Sequence, residues 1–288
     1  MAISDQEVQF LSALVAKQTG NVISASQAYL VESRLRPVAE RAGIQDIHSL
    51  VAELRRSNLS PLHQQVAEAM TINETHFFRD PDLFDAIADH TIPELIASRE
   101  SKRSLRIWCA ACSSGQEPYS LAILLRSRFP QLNTWDIRIT ATDYSAEMVS
   151  KCESGSYSQF EVNRGLPASL LVQNFDRKDL DWVIKPEIRR QIEFRELNLM
   201  SPLPFHERFD LVLMRNVLIY FDPKTKTEIL TRAHRAMQPD GFLFLGGGES
   251  MVNISAPFER QMLNRSIGFR PNEYLKAAST SRQIASCS

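Results

Sequence analysis

The chain has 288 residues, 43% of them hydrophobic, and a formal net charge of −1, which is typical of a globular protein with one or two domains. The near-neutral charge excludes a general attraction to nucleic acid, and no apolar run approaches the ~20 residues of a membrane span. The N-terminus lacks the basic start and apolar core of a signal peptide, so we expect a cytoplasmic protein. Four cysteines are too few for a disulfide scaffold.

Residues 1–70 predict a small all-helical domain. Apolar residues recur at helical spacing in the first segment, amphipathic runs follow at 25–41 and 47–54, and Ser60-Pro61 opens a fourth helix. This domain carries a group of arginines: Arg34, Arg36, Arg41, Arg55 and Arg56. The group forms either an ordinary solvated face or a docking surface for an acidic helical partner.

Residues 71–90 predict a linker that contributes to a site. The stretch 71–81 reads T-I-N-E-T-H-F-F-R-D-P, which is too polar for a buried strand and yet contains two adjacent phenylalanines. Asp80 and Pro81 predict the N-cap and the first residue of the next helix. A lid or the lining of a cleft would explain the composition, and an ordinary linker is the alternative.

The central unit of the chain is a strand, a loop of small residues and a helix. The apolar run 105–111 ends in the loop 112–115, and Glu117 and Pro118 stand in the first turn of the helix. Doubly wound α/β sheets bind ligands outside the carboxyl ends of their strands, so this loop is a candidate ligand site. The alternative is an ordinary buried strand–turn–helix unit that binds no ligand. The glycine patterns of dinucleotide sites and of P-loops are absent.

A second strand, Ile137–Thr142, ends at Asp143, where such folds bind a nucleoside ribose. Since no glycines are arranged for a pyrophosphate, S-adenosylmethionine is the obvious candidate ligand. Cys109 and Cys112 form a C-x-x-C pair, but Cys109 is expected within the strand and no second pair completes a zinc site. A redox or metal role for this pair is therefore the minor alternative.

The third part of the chain departs from the strand–helix alternation. Residues 155–197 predict an insertion, a small antiparallel β-subdomain that includes the strand-like runs 182–185 and 191–196. The main domain, residues 91–288, resumes with a buried strand at 209–214 and continues with a helix from Pro223 to about Met237. A turn at 239–241, a strand at 242–245, an edge hairpin within 261–269 and a disordered tail from about Ala277 complete the prediction.

Four strand ends are expected to meet at one crevice. Asp143 would accept from ribose hydroxyls, Asn198 would reach the adenine edge, and Leu199 would pack on its ring. Glu117 and the backbone at Asn216-Val217 would hold the methionine end. The N-P-P-Y motif of enzymes that methylate base amines is absent after the fourth strand, where the chain reads R-N-V-L-I-Y-F.

Five motifs in order resemble the CheR family of chemotaxis receptor methyltransferases: T-I-N-E-T-H-F-F-R-D, C-S-S-G-Q-E-P-Y-S, A-T-D, R-G-L-P and R-N-V-L-I-Y-F-D. The resemblance runs from about Asp5 to Tyr274. It implies a Rossmann-like methyltransferase domain that transfers a methyl group from S-adenosylmethionine to glutamates on the cytoplasmic helices of chemoreceptors. The products would be glutamate γ-methyl esters and S-adenosylhomocysteine, with no metal involved.

The resemblance also implies residue roles. Cofactor binding would fall to Asn73, Thr75, Arg79, Glu117, Asp143, Asn198, Leu199, Asn216 and Val217, and catalysis to Arg79 and Tyr220. The helical domain would dock on receptor helices through its arginines, and the insertion resembles a β-subdomain that in some members binds a receptor C-terminal tail peptide. We take a monomer as the default.

The sequence departs from the family pattern in three places. Gln116 stands where a second acidic residue is common, and Gln27 where a lysine is common. The stretch 246–250 reads G-G-G-E-S where G-H-S-E is usual, so this chain lacks the histidine of the family pattern. The competing hypotheses are a sensor or scaffold that binds the cofactor without turnover, a methyltransferase for small molecules or RNA, and, least favoured, a nicotinamide dehydrogenase.

Overall fold

The computed structural model describes residues 3–20, 28–57, 60–252 and 254–272. The start of the predicted second helix, Gln27 and the tail from Ala277 lie outside these ranges. The chain divides into two compact units, Met1–Asn73 with Tyr220–Thr225, and Glu74–Ile219 with Lys226–Ser288. Within the described ranges, no helix combines the length and the apolarity needed to cross a membrane.

The first unit is built from α1 (Asp5–Thr19), α2 (Ala28–Arg41), α3 (Ile47–Arg56) and α4 (Pro61–Ala69). α1 begins with a capping box, in which the Ser4 N–H donates to Glu7 at 2.9 Å, and ends at Gly20 with a φ of 75°. Each helix contributes fully buried apolar side chains to one core, among them Leu11, Leu35, Leu50 and Val66. The predicted all-helical domain is confirmed for the described residues.

The second unit alternates helices and strands. The helices that follow in the chain are α5 (Pro81–Ala86), α6 (Ile92–Arg99), α7 (Gln116–Arg128), α8 (Ala146–Ser154), α9 (Gln159–Asn163), α10 (Ala168–Asn174), α11 (Pro186–Arg189) and α12 (Pro223–Arg235). The strands are β1 (Ser104–Ala110), β2 (Asp136–Asp143), β3 (Ser156–Ser158), β4 (Phe175–Lys178), β5 (Asp181–Ile184), β6 (Ile192–Glu196), β7 (Phe209–Met214), β8 (Met237–Leu245), β9 (Phe258–Leu263) and β10 (Ser266–Pro271). A π-helical turn, Ile87–Thr91, joins α5 to α6, and 3₁₀ turns lie at Pro130–Thr134 and Leu218–Tyr220.

Seven strands form one sheet in the order β6-β2-β1-β7-β8-β10-β9. The first five are parallel, and β10 and β9 add an antiparallel hairpin at the edge. Because β1 pairs with β2 on one side and with β7 on the other, the strand order reverses at β1, as at the switch point of doubly wound sheets. All six residues of β7 are buried. The predicted Rossmann-like class and the edge hairpin are confirmed.

The prediction that the run 191–196 belongs to the antiparallel insertion is wrong. β6 pairs in parallel with β2, in register from Ile139 opposite Ile192 to Asp143 opposite Glu196, and forms an edge of the large sheet. The small sheet contains only β3, β5 and β4. The sequence misleads here because an edge strand with one exposed face alternates apolar and polar residues, which is also typical of an antiparallel strand.

The predicted turn at 239–241 is also wrong, because these residues lie within β8. β7 and β8 change register between Phe209, which pairs with Met237, and Leu211, which pairs with Phe242. Residues 238–241 therefore bulge opposite Asp210 instead of reversing the chain. Gly241 suits this bulge, since a Cβ there would lie 3.0 Å from the Asp210 carbonyl oxygen.

Candidate active site

The loops that follow β1, β2, β6 and β7 lie at one edge of the sheet, because the carboxyl ends of parallel strands meet there. Backbone hydrogen bonds connect them: the Cys112 N–H donates to the Thr142 carbonyl at 2.9 Å, and the Leu197 N–H donates to the Asp143 carbonyl at 2.7 Å. Six of the predicted cofactor residues lie in these loops or at the element ends beside them: Glu117 in the first turn of α7, Asp143 at the end of β2, and Asn198, Leu199, Asn216 and Val217 in the loops.

Asp143 is the buried acid at the end of β2, with 7% of its surface exposed. Its carboxylate accepts the backbone N–H of Ser113 at 2.8 Å and that of Ser145 at 3.0 Å, one on each oxygen. Burial raises the pKa of Asp143, and these backbone donors oppose the rise. The backbone of Tyr144 donates to the same carboxylate, and since a carboxylate accepts about four hydrogen bonds in all, it retains capacity for a ribose hydroxyl.

The loop after β1 is held in an unusual backbone conformation. Ala111 and Ser113 have φ values of 55° and 50°, and Gly115 has a φ of 93°. The Tyr157 hydroxyl donates to the Ser114 carbonyl at 2.7 Å, and a Cβ on Gly115 would lie 2.9 Å from that hydroxyl oxygen. The loop is thus pressed against the insertion, which explains why small residues occupy it.

Arg215, at the end of β7, is the buried cation of the site. Its side chain is 2% exposed, its Nη1 donates to the Glu117 carboxylate, and its Nη2 donates to Asp80 at 2.6 Å and to the Arg79 carbonyl at 2.8 Å. Burial raises the pKa of Glu117, and the charge of Arg215 opposes this. Glu117 therefore faces Arg215 within the protein, a partner that the sequence analysis did not identify.

The segment 74–81 is fixed to the second unit by both of its phenylalanines. Phe77 is fully buried and packs edge-on against Tyr157, with ring centroids 5.1 Å apart, while the Phe78 N–H donates to Ser120 Oγ at 2.9 Å. Phe78 and Asp80 have φ values of 48° and 63°. α5 begins at Pro81 as predicted, but the Asp80 side chain makes no capping hydrogen bond and instead pairs with Arg215.

Thr75 and Arg79 stand on this anchored segment. Arg79 is half-buried, and its Nη1 donates to the Glu74 carbonyl at 3.1 Å. The R-G-L-P turn contacts the same segment, since a Cβ on Gly165 would lie 2.0 Å from the Phe77 carbonyl oxygen, and Arg164 pairs with Glu74 at 2.8 Å. Two motifs that are separate in the sequence therefore form one structure.

The loop after β7 is organised by Glu249. Its Oε2 accepts the N–H groups of Asn216 at 2.8 Å and Gly246 at 2.7 Å, and its Oε1 accepts those of Leu218 at 2.7 Å and Ile219 at 3.2 Å. Asn216 has a φ of 57°. Glu249 stands in the G-G-G-E-S stretch, whose departure from the family pattern is the missing histidine and gives no sign of this role.

The adenine side of the predicted site is a turn after β6. Asn198 Oδ1 accepts the Met200 N–H at 2.9 Å, and Leu199 is 7% exposed, with its carbonyl accepting from Arg232 at 2.9 Å. Asn73 and Tyr220 belong to the first unit; Asn73 Oδ1 accepts from Thr71 Oγ1 at 3.1 Å, and Tyr220 ends a 3₁₀ turn.

The five arginines of the helical unit have different environments. The Arg34 guanidinium donates to the carbonyls of Met70 and Thr71 at 3.2 and 2.8 Å, so it ties α2 to the residues after α4. Arg36 pairs with Glu32, Arg56 pairs with Glu53, and Arg55 lies over the Phe10 ring at 5.0 Å. The side chains of Arg36, Arg41, Arg55 and Arg56 are exposed.

The neighbour of Cys112 in the structure is Cys152 and not Cys109 of the C-x-x-C pattern. Cys112 Sγ lies 4.0 Å from Cys152 Sγ, while Cys109 is buried within β1, and burial raises the pKa of Cys109. Cys109, Cys112 and Cys152 are free thiols. In the described ranges, no three His, Cys, Asp or Glu side chains form a group that could hold a metal ion.

Two family models match the chain: the all-alpha domain of CheR methyltransferases over residues 6–71 and their SAM-binding domain over residues 73–267. The chain is 38% identical over 273 residues to chemotaxis protein methyltransferase 1 of Pseudomonas aeruginosa, covering 93% of this chain and 98% of that protein. Chemotaxis protein methyltransferase Cher2 of Pseudomonas putida is also 38% identical, over the same shares of both chains. A chemotaxis protein methyltransferase of Vibrio parahaemolyticus is 36% identical, over 94% of this chain and 98% of that protein.

A doubly wound sheet with a buried acid at the end of its second strand, together with the match to a SAM-binding domain, defines an S-adenosylmethionine-dependent methyltransferase. Within this class, the chain belongs to the CheR methyltransferase family. The chemistry of the strand ends fits the cofactor, because the buried Asp143 carboxylate is an acceptor group of the kind that a ribose requires. A dehydrogenase is thereby ruled out as the class of this protein.

Proposed function

We propose that this protein transfers the methyl group of S-adenosylmethionine to glutamate side chains on the cytoplasmic helices of chemoreceptors, forming γ-methyl esters. The relatives that cover the whole chain are named chemotaxis protein methyltransferases, which supports a receptor substrate. The observation that carries the proposal is the seating of Arg79: its carbonyl is bonded to Arg215, the buried cation that also pairs with Glu117 of α7. This bond fixes the backbone of Arg79, and it supports a role for the Arg79 cation beside the loops that would receive the cofactor.

The chemistry makes modest demands on the protein. A glutamate carboxylate is already ionised at neutral pH and is a nucleophile, so no general base is required. The cofactor supplies an electrophilic methyl group on a sulfonium. The protein's task is therefore to position the carboxylate in line with that methyl group. No metal enters this scheme.

Arg79 would orient the substrate carboxylate by charge-assisted hydrogen bonds. A guanidinium has five N–H donors, and the bond to the Glu74 carbonyl uses one of them, so others would serve the carboxylate. Tyr220 would add a hydrogen bond or close the site. Asp143 would bind the ribose, Asn198 and Leu199 the adenine, and Glu117 with the backbone at Asn216-Val217 the methionine end. Asn73 and Thr75 complete the set of proposed cofactor contacts.

The helical unit would supply the receptor-docking surface. Arg36, Arg41, Arg55 and Arg56 expose their charges, which suits an acidic helical partner. Arg34 would act indirectly, because its guanidinium is bonded to backbone carbonyls within the unit. The small sheet would receive a receptor C-terminal tail peptide, and the exposed Phe160 beside it supports a peptide-binding role. The enzyme would work as a cytoplasmic monomer without binding nucleic acid.

The test is transfer of radiolabelled methyl from S-adenosylmethionine to a purified receptor cytoplasmic fragment. We expect incorporation that alkali releases as methanol, since carboxyl esters hydrolyse in base and N-methyl groups do not. A receptor fragment with its methyl-accepting glutamates changed to alanine is the matched control. Cofactor binding without incorporation would favour a sensor or scaffold, and alkali-stable label would indicate a different acceptor.

A further inference from the structure

Glu249 holds two loops at the carboxyl edge of the sheet with a single carboxylate. The N–H groups of Asn216, Leu218 and Ile219 come from the loop after β7, and the N–H of Gly246 comes from the loop after β8. Hydrogen bonds to an ionised acceptor are stronger than those between neutral groups. The four donors therefore converge on one point of negative charge.

The loop after β7 needs such an acceptor. β7 ends at Met214, and the 3₁₀ turn begins at Leu218, so the N–H groups between them have no strand or helix partner. Asn216 adopts a φ of 57°, in the left-handed region, which has a conformational cost for residues other than glycine, although the cost is smaller for asparagine than for most. The bonds to Glu249 offset this cost and hold the strained residue in place.

Gly246 brings the second loop close enough for the carboxylate to reach. A Cβ at Gly246 would lie 2.9 Å from the Asn216 backbone nitrogen and 2.7 Å from its side-chain nitrogen. Gly246 itself donates to the same Oε2 atom as Asn216. The glycine and the glutamate of G-G-G-E-S thus act together, whereas Gly247 and Gly248 have no atom within 4 Å of an added Cβ.

We propose that Glu249 is a positioning residue for methyl transfer, which fixes the backbone of Asn216-Val217 that receives the methionine end of the cofactor. This inference rests on the proposed function. Glu249 contacts no substrate in this scheme and acts through the N–H groups that it gathers. It also holds Ile219, the residue that immediately precedes Tyr220.

The test compares Glu249→Gln with Glu207→Gln as a matched control. A glutamine presents one acceptor oxygen. Its amide N–H₂ would face the other pair of backbone N–H groups, and two donors cannot form a hydrogen bond. Glu207 lies before the amino end of β7, and its exposed carboxylate pairs with Arg106. Both variants remove one negative charge and keep the side-chain shape.

For Glu249→Gln we expect faster hydrogen exchange at Asn216, Leu218, Ile219 and Gly246, and roughly tenfold weaker calorimetric binding of S-adenosylhomocysteine. The kcat of methyl transfer should fall, while the KM for the receptor fragment stays unchanged. Glu207→Gln should match the wild type in all three measurements.

Two outcomes for Glu249→Gln would overturn the proposal. Faster hydrogen exchange with unchanged cofactor affinity and unchanged kcat would show that Glu249 is only a structural residue. Unchanged hydrogen exchange would show that Glu249 does not hold these N–H groups. If Glu249→Gln does not fold, Glu249→Asp serves instead, because it keeps the negative charge and withdraws the carboxylate by one methylene from the N–H groups, and the same outcomes decide. A wild-type protein that binds S-adenosylhomocysteine but methylates no receptor would contradict the proposed function alone, since the affinity comparison still tests Glu249.

Discussion

Arg215 donates to the carboxylate of Asp80 at 2.6 Å across 135 positions of the chain. This bond joins the end of a central strand to the segment that carries Arg79. The same guanidinium faces Glu117, so one buried cation connects three parts of the candidate site. Its removal tests whether the site depends on this connection.

Arg215→Ala should lower the free energy of unfolding by about 3–5 kcal/mol, because it leaves the Glu117 carboxylate buried without its partner. Urea denaturation of the full-length protein measures this change in the free energy of unfolding. Arg195→Ala is the control, since Arg195 forms a half-exposed pair with Glu193, and such a pair contributes about 1 kcal/mol or less. Similar losses in the two variants would contradict the role given to Arg215.

Cofactor affinity should depend on the ionisation of Asp143. Ribose hydroxyls make stronger hydrogen bonds to the ionised carboxylate than to the protonated acid, which keeps fewer acceptor positions, and burial raises the pKa of Asp143 from its ordinary value. Affinity for S-adenosylhomocysteine should therefore be constant well above that raised pKa and fall as the pH drops through it. Calorimetric titrations from neutral to mildly acidic pH measure the change.

Asp143→Asn is the control for this pH dependence. The amide does not titrate, so the variant should bind more weakly and lack the part of the pH dependence that belongs to Asp143. Parallel pH profiles for the wild type and the variant would assign the titration to another group.

Gly165→Ala should destabilise the protein by about 2 kcal/mol or more, because the φ of 84° suits glycine and the new Cβ would overlap the Phe77 carbonyl oxygen. Gly43→Ala separates the two causes. Gly43 has a φ of 69° but no atom within 4 Å of an added Cβ, so only the conformational cost of about 1 kcal/mol applies. Equal shifts in the urea midpoint would show that the contact with Phe77 contributes nothing.

Arg79→Ala should abolish most turnover while leaving the fold intact, because the guanidinium is half-buried and its one described bond is to a local carbonyl. Steady-state methylation of the receptor fragment measures kcat, with Arg195→Ala again as the control. Near-normal kcat in the Arg79 variant would refute its proposed role.

Tyr220→Phe should lower kcat if its hydroxyl contacts the reacting groups, and the same methylation assay measures the change. Unchanged kinetics in the Tyr220 variant would leave Tyr220 a packing residue.

Local signals predicted most of the elements correctly, including the strand–loop–helix around Cys112, the buried strand β7 and the acid at the end of β2. Partners distant in sequence were not predicted. Arg215 was identified only as the end of a strand and Asp80 only as a helix cap, because their pairing depends on the reversal of strand order at β1. Glu249 was missed because its partners are backbone N–H groups, which leave no side-chain pattern in the sequence.

The two errors of fold have a similar origin. The alternation of β6 specifies one exposed face but not which sheet the strand joins. The residues Pro-Asp-Gly favour a turn locally, but β8 keeps them in an extended strand, where Asp240 pairs with Arg99 and Asp210 pairs with the same arginine. In both cases long-range pairing prevails over a local preference.

The buried thiols of Cys112, in the loop after β1, and of Cys152, in α8, have a practical consequence. Cys112 and Cys152 are 2% and 0% exposed, and Cys152 Sγ donates to the Ser113 carbonyl at 3.0 Å. A thiol reagent would reach these buried sulfurs only after a local opening of the loop or of α8. The rate of their modification is therefore a measure of how often the native protein opens here, read from its own side chains.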